Sequence, residues 1–468
     1  MVAENLRASF FKQNGTLAWM VCLGMLISNM IVQGINSSFG EIMASIIKEF
    51  DSDLASISLI PSVHSFAYYL SGYICSILVK WYSFRSLAFF GGLASCIAFV
   101  ASIYTSSITS LTLAYGLIGG MGNGIAYVPG LIACGFYFDD NKRALATGIA
   151  TSGNGIGIVV IPILMSYITE NFGWRSSMLF LSSISPIICL AALVMLPLSM
   201  LSMDNQEQNI VTIEDGNNNS YGAINEMDES QNDSNDLKTK KGCLPLQIDS
   251  KIPGIMCEIK SFFLESWGLL KQPKLFMYCL SHGLLMVAYF IPIDFLNSMM
   301  VEDHSISIEL TGYIVPIIGV ANIVGNLFTG VLLSKFQFNP LSLHFAYNIG
   351  CGIFCFLFIF CSTYSHFVGV AVLYGLVSGP VSMLIMECLA KMFGMDSVKE
   401  TMGFIMLVYA IGAAIGAPIG GMIYDVAKNF DGVFCFAAVL YFLASLSGLV
   451  SLILNRKYEN IMSEYTRL

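Results

Sequence analysis

The sequence predicts an all-α integral membrane protein, with twelve transmembrane helices in two pseudo-symmetric six-helix halves. Three observations carry this. Twelve long apolar runs, six on each side of one acidic polar stretch, are each long enough for a helix to cross hydrocarbon, which takes about 20 residues. Hydrophobic residues are 56% and charged residues 11% of 468, more apolar surface than one water-soluble core could hide. The basic residues also segregate between alternate connections. One side holds Lys48, Arg175 and Lys428 of the 22; the other holds Arg7, Lys12, Lys80, Arg85, Lys142, Arg143, Lys335, Lys391, Lys399, Arg456, Lys457 and Arg467, plus the central lysines. Cytoplasmic loops retain Lys and Arg, so both termini and the central stretch are expected to be cytoplasmic.

The elements follow in chain order. Residues 1–16 are a short polar N-terminus, and the first apolar run lacks a small-residue cleavage site, so an uncleaved first span is expected. The first half, 17–203, holds spans at 17–38, 57–79, 86–105, 109–134, 144–168 and 177–202. Span one carries Asn36 and Ser37, with Glu41 near its outer end; span two carries His64 beside Tyr68 and Tyr69; span four carries Asn123 and Tyr127. Lys142-Arg143 precedes span five, which contains Gly148, Gly153, Gly157 and Pro162 and leaves through Asn171-Phe172-Gly173-Trp174-Arg175.

The central stretch, 204–272, has two parts. Residues 204–251 are rich in Asn, Asp, Glu and Ser and cannot bury enough apolar area to offset chain entropy, so disorder is expected. In 254–270, Ile255, Ile259, Phe262, Phe263, Trp267 and Leu270 recur at helical spacing, which predicts an amphipathic helix on the inner membrane face.

The second half, 273–454, holds spans at 275–299, 309–333, 341–362, 367–390, 401–423 and 432–454, and 455–468 is a cytoplasmic tail. Span seven opens with His282 and passes Tyr289 and Pro292 to Asp294. Span eight carries Asn322 and Asn326 one turn apart on one face. In span ten, Glu387 lies one turn before Lys391, and a contact between them is expected. Span eleven follows Lys399 with Gly403, Gly412, Gly416 and Pro418, and exits through Tyr424-Asp425. The spacing of Gly148 to Gly157 repeats in Gly403 to Gly412, which signals duplicated halves. Glycines let helices approach closely in lipid, and a smooth contact between the halves is expected of them.

Several classes fall away. The 13 cysteines are scattered, without the spacing of a disulfide framework or zinc site. There is no basic stripe for nucleic acid. No P-loop, metal-ligand cluster, nucleophile elbow or catalytic carboxylate pair is present, so neither a cofactor nor an enzyme is expected.

The segment Phe136-Tyr137-Phe138-Asp139-Asp140-Asn141-Lys142-Arg143-Ala144-Leu145-Ala146-Thr147-Gly148, with Ala150, Gly153 and Gly157, resembles the fifth-span signature of monocarboxylate transporters within the major facilitator superfamily. Gly34, Ser38-Phe39-Gly40, Glu49-Phe50, Gly173-Trp174-Arg175 and the 374–432 segment are similar too. The resemblance implies the major facilitator fold and covers nearly all but the central stretch. It also implies a plasma-membrane location, and some family members use a single-span accessory glycoprotein. Departures from the family are informative. The first-span lysine of members that carry lactate with a proton falls at Ser37, and their eighth-span aspartate and arginine fall at Asn322 and Asn326. The family also includes carriers of aromatic amino acids, thyroid hormones, creatine and other organic solutes.

No Lys or Arg lies well inside a span, whereas a buried carboxylate needs a cation or convergent donors. The substrate-binding candidates are therefore neutral: Asn36, Ser37, His64, Tyr127, Tyr289, Asn322 and Asn326. The coupling or gating candidates are Glu41, His282, Asp294 and Glu387, which are costly to place in hydrocarbon, with Arg143, Arg175 and Asp425 at span ends. Either histidine could hold a proton near neutral pH or simply hydrogen-bond neighbouring helices.

Together these features predict a secondary transporter or facilitator of a small organic solute, a monocarboxylate or related metabolite, with two halves rocking about a central site and a proton left open as co-substrate. Two readings stay beside it: a membrane receptor or sensor that binds without translocating, and a carrier of amino acids or other zwitterions without proton coupling.

Overall fold

The computed structural model describes residues 13–51, 54–195, 268 and 271–465. The predicted amphipathic helix at 254–270, apart from Gly268, and the acidic stretch before it lie outside these residues. The first half comprises α1 (Thr16–Ser37), a short α2 (Gly40–Phe50), α3 (Leu54–Leu78), α4 (Phe84–Ile103), α5 (Ile108–Tyr137), α6 (Asp140–Phe172) and α7 (Trp174–Val194). The second comprises α8 (Pro273–Glu302), α9 (Ile314–Phe336), α10 (Pro340–Phe358), α11 (Tyr364–Phe393), α12 (Val398–Ala427) and α13 (Asp431–Tyr465).

Among the described residues eleven helices are long and apolar enough to cross a membrane. The helix α3 is not one of them, although it has 25 residues and the sequence counts it as a span. Its polar side chains explain this: His64, Tyr68, Ser71 and Ser76 are buried against other helices instead of facing lipid. A second difference lies at the C-terminus, where α13 continues past residue 454 to Tyr465. Asn455 donates to Glu459 one turn on at 3.0 Å, and Lys274 sits over the Tyr458 ring, so the last turns have partners of their own.

Helix ends follow local chemistry. Asp139 caps α6 by accepting from the Lys142 amide at 3.0 Å, and Asn14 pins the N-terminal segment here by accepting from the Asp139 amide at 3.1 Å. Gly173 separates α6 from α7 at φ +82°, a conformation that strains any residue with a Cβ. That turn hands Trp174 and Arg175 to Glu49 of α2. The indole N–H donates to Glu49 at 2.5 Å, and Arg175 pairs with the same carboxylate while donating to the carbonyls of Ile103 and Thr105. This tether lies at the end of the molecule opposite the termini. It holds Glu49 below the usual carboxylate range, chiefly through the Trp174 hydrogen bond, against a smaller opposing effect of desolvation and with help from Arg175.

The halves meet where α6 packs on α9 and α3 packs on α12. A Cβ on Gly148 would lie 2.8 Å from the Asn326 carbonyl oxygen, and one on Gly403 2.1 Å from the Ser76 hydroxyl, so both glycines sit in the inter-half seams. The other predicted packing glycines do not. A Cβ on Gly153 or Gly157 would strike the Leu26 or Met30 carbonyl of α1, and one on Gly412 or Gly416 would strike Met286 or Val287 of α8. The expectation that these glycines smooth the contact between halves is thus corrected for these four. Nine residues are two and a half turns, which turns the second glycine of each repeat to the opposite face. Pro162 is buried inside α6, whereas Pro418 inside α12 is exposed.

Candidate functional site

Between the halves lies a cavity of about 70 Å³. The first half contributes Gln33 from α1, Tyr68 and Tyr69 from α3, Tyr127 from α5 and Asn154 from α6. The second contributes Tyr289 from α8, Asn322 and Asn326 from α9, Ser378 and Ser382 from α11 and Tyr409 from α12. Aliphatic side chains, among them Ile158, Met286 and Met406, fill the remaining wall, and no charged side chain lines it among the described residues.

Close helix packing holds these groups. A Cβ on Gly379 would lie 2.9 Å from the Asn322 backbone, so α11 can press onto α9 and bring Ser378 to donate to Asn322 Oδ1 at 3.1 Å. Asn326, one turn on, keeps a buried Oδ1 with no partner. The tyrosines form a connected wall: Tyr68 and Tyr69 have ring centroids 4.7 Å apart, Tyr68 and Tyr127 5.7 Å, and Tyr69 meets Tyr409 edge-on across the halves at 5.4 Å.

Four of the seven predicted binding residues, Tyr127, Tyr289, Asn322 and Asn326, meet in this cavity. Asn36, Ser37 and His64 do not line it. Ser37 lies one turn beyond Gln33 and donates to the backbone carbonyls of Gln33 and Gly34 at 3.0 and 3.2 Å, so its hydroxyl is spent locally. Asn36 is half-buried beside it with an unpartnered Oδ1. His64 is buried inside the first half. Its Nδ1–H donates to the Tyr115 carbonyl at 2.9 Å, within the π-helical segment of α5, and its Nε2 accepts from Asn123 at 3.3 Å. Asn123 in turn accepts from Ser95 at 2.9 Å. Both imidazole nitrogens are thus used in joining helices.

Sequence reasoning missed Gln33, Asn154, Ser378, Ser382 and Tyr409 as lining residues, and it noted Tyr68 and Tyr69 only as neighbours of His64. Gln33 could have been found as the residue one turn before Ser37, and Asn154 as the polar residue between two glycines of the fifth-span signature. Nothing local marks Tyr409.

A polar cluster joins the halves on the side of the chain termini. Arg143 Nε lies 3.3 Å from both Glu387 oxygens and Nη2 lies 3.2 Å from Oε2, while Nη1 donates to Asp140 at 2.6 Å. This corrects the expected Glu387–Lys391 contact: Lys391 points to an exposed position, whereas the buried carboxylate takes a buried guanidinium from the other half. Lys80 pairs with Glu400 at 3.1 Å, Ser334 donates to the Asn141 carbonyl at 2.5 Å, and Lys399 lies over the rings of Phe84 and Phe136. Asp140, Arg143, Glu387, Lys391 and Asn339 border a wider space of about 590 Å³ at this end.

The remaining candidates are separate from that cluster. Arg175 serves the Glu49 tether within the first half. Asp425 is exposed, 3.9 Å from Lys428. Glu41 is exposed near Ser166 and Glu170, and Asp294 is exposed on the part of α8 beyond Tyr289. His282 is fully buried behind the cavity wall, its Nδ1 2.8 Å from the Tyr409 hydroxyl.

Comparison with known proteins agrees with this architecture. Monocarboxylate transporter 14 of Homo sapiens is 21% identical, covering 92% of this chain and 90% of that protein. Monocarboxylate transporter 2 of Homo sapiens is 24% identical, covering 96% and 89%. Monocarboxylate transporter 12 of Xenopus laevis is 23% identical, covering 97% and 93%. A solved structure of the proton:xylose symporter XylE bound to 6-bromo-6-deoxy-D-glucose matches with a TM-score of 0.66 at 11% identity, covering 92% of this chain and 95% of that one, which speaks to the fold. The sequence pattern of the Major Facilitator Superfamily matches residues 21–408 and 345–464, and with two packed sets of helices around a central cavity already in view, the chain belongs to that superfamily.

Proposed function

We propose that this chain carries a small organic solute, a monocarboxylate or related metabolite, across the plasma membrane by rocking its halves, 17–203 and 273–454, about the central cavity. The observation that carries this reading is one uncharged cavity built by both halves, with inter-half polar contacts gathered beneath it. Rotation about the α6–α9 and α3–α12 seams would part Arg143 from Glu387 and Lys80 from Glu400, opening the cavity toward the cytoplasm. Basic-residue segregation supports placing both termini there.

The similarity to proteins named monocarboxylate transporters supports the solute class. A carboxylate in this cavity would have to be held by tyrosine hydroxyls and side-chain amides, because among the described residues no lysine or arginine lines it. Such convergent donors offset part of a desolvation cost of several kcal/mol. The lysine-based proton mechanism does not carry over to Ser37, whose hydroxyl is turned to its own backbone.

The test is uptake of labelled lactate, a short ketoacid, creatine and an aromatic amino acid into liposomes, at outside pH of about 6 and about 7.5, a range that brackets histidine titration. Saturable flux of a carboxylate supports the proposal. Binding of any of these with no flux would replace it with the sensor reading. N-linked sugar on Asn218 or Asn232 in cells would overturn the cytoplasmic placement of the central stretch.

A further inference from the structure

His282 has no direct access to the cavity, but it touches the side chain that does. Its Nδ1 lies 2.8 Å from the hydroxyl of Tyr409, which lines the cavity and meets Tyr69 across the halves. Its other nitrogen, Nε2, is buried with no hydrogen-bond partner. The Tyr278 ring stands edge-on to the imidazole at 4.5 Å, and the His344 ring stacks on it at 4.7 Å and 29°. Stacked rings cannot aim an in-plane N–H at each other's lone pair, and His344 Nε2 is already 3.0 Å from both Ser281 Oγ and Asn348 Nδ2.

Two neutral arrangements satisfy the His282–Tyr409 contact. If Tyr409 donates, the imidazole proton must sit on Nε2, which leaves a buried N–H with no acceptor. If Nδ1–H donates, Nε2 is a bare lone pair and the Tyr409 proton is free. Orphaned buried N–H groups are the rarer and costlier case, so the second arrangement wins. An imidazolium would be worse, a charge buried among Tyr278, His344 and Tyr409 with no carboxylate bonded to it.

We propose that His282 is a positioning residue that makes Tyr409 a hydrogen-bond donor into the cavity, and so selects solutes that present an acceptor oxygen, a carboxylate or carbonyl. This rests on the cavity being the solute site. His282 donates to the Tyr409 oxygen, and the hydroxyl proton turns to the solute. His344 Nε2–H donates to Ser281, whose own proton goes to the Ala444 carbonyl at 2.6 Å, and this holds His344 against the back of the ring.

The decisive measurement is nitrogen NMR of histidine-labelled protein in lipid nanodiscs, with His282→Gln used to assign the signal. A protonated Nδ1 and a bare Nε2 at neutral pH are expected; a protonated Nε2, or both nitrogens protonated, would overturn the assignment. Uptake of labelled L-lactate supplies the second readout. His282→Gln and Tyr409→Phe should each raise KM about tenfold, the worth of one lost hydrogen bond, with Vmax within about twofold. The double variant should be no worse than either single one. His282→Asn, whose amide nitrogen takes the place of Nδ1, should restore KM. An Asn variant as impaired as Gln, or an effect on Vmax alone, would overturn the positioning role. Absence of lactate flux in the unaltered protein would count against the carboxylate reading of the cavity, while the nitrogen spectrum decides the His282 assignment by itself.

Discussion

Neutralising Glu387 should loosen the terminal-side closure, and its burial sets the size of the effect. Glu387 is 5% exposed and Arg143 9% exposed, with three of the four guanidinium contacts going to Glu387. Removing one partner of a buried ion pair costs about 3–5 kcal/mol when the remaining charge has nowhere to turn. In Glu387→Gln the remaining charge is Arg143, which keeps Asp140 at 2.6 Å, a carboxylate that is itself well exposed. That residual partner, and the hydrogen bonds a glutamine can still accept, reduce the expected cost to about 1–3 kcal/mol, roughly a five- to 150-fold shift in the opening equilibrium. Arg143→Gln should cost more, because it strands the buried Glu387 carboxylate. The assay is hydrogen–deuterium exchange in nanodiscs, following peptides that cover 139–145 and 334–343. Both variants should exchange faster there, Arg143→Gln more than Glu387→Gln. The double variant should fall short of the sum, because the two residues share one interaction. Exchange equal to the unaltered protein in both single variants would refute the claim that this pair holds the halves together.

Three further outcomes are expected. Gly148→Ala forces a Cβ to 2.8 Å from the Asn326 backbone, with Gly330 Cα and Met383 Sδ close behind, so about 1–3 kcal/mol of lost thermal stability and slower flux are expected. Gly421→Ala, which would meet nothing within 4 Å, is the matched control and should melt like the parent. Glu49→Gln should lower the melting midpoint slightly at neutral pH, by the modest worth of an exposed pair. Because the folded-state value of Glu49 lies below its ordinary 4.5, its contribution is complete above that pH and is lost as the pH falls through the lowered value. The difference between parent and variant should therefore close under acid, and a gap that widened there would contradict the Trp174–Glu49 account.

The membrane class, the paired halves and the run of spans could be read from the chain because hydrocarbon imposes length and composition on each helix separately. The Gly148–Gly157 and Gly403–Gly412 repeat is local in the same sense, and the structure puts the first glycine of each pair in the seam between the halves and the second against a helix of its own half. Partner choice is another matter. Asn36 and Asn322 look alike as polar residues in apolar runs, yet only Asn322 reaches the cavity. His64 and His282 look alike as buried histidines, yet His64 spends both nitrogens inside the first half and His282 touches a cavity tyrosine.

Sequence by itself determined what each helix is, since amphiphilicity, caps and charge asymmetry act within about one turn or one span. Only tertiary structure decided which groups meet: Glu387 with Arg143, 244 residues away, instead of Lys391 four residues on, and His282 with Tyr409, 127 residues away. The physical reason is helix rotation. A side chain's neighbours depend on how its helix is turned against others, and that angle is set by small-residue contacts summed over the whole bundle.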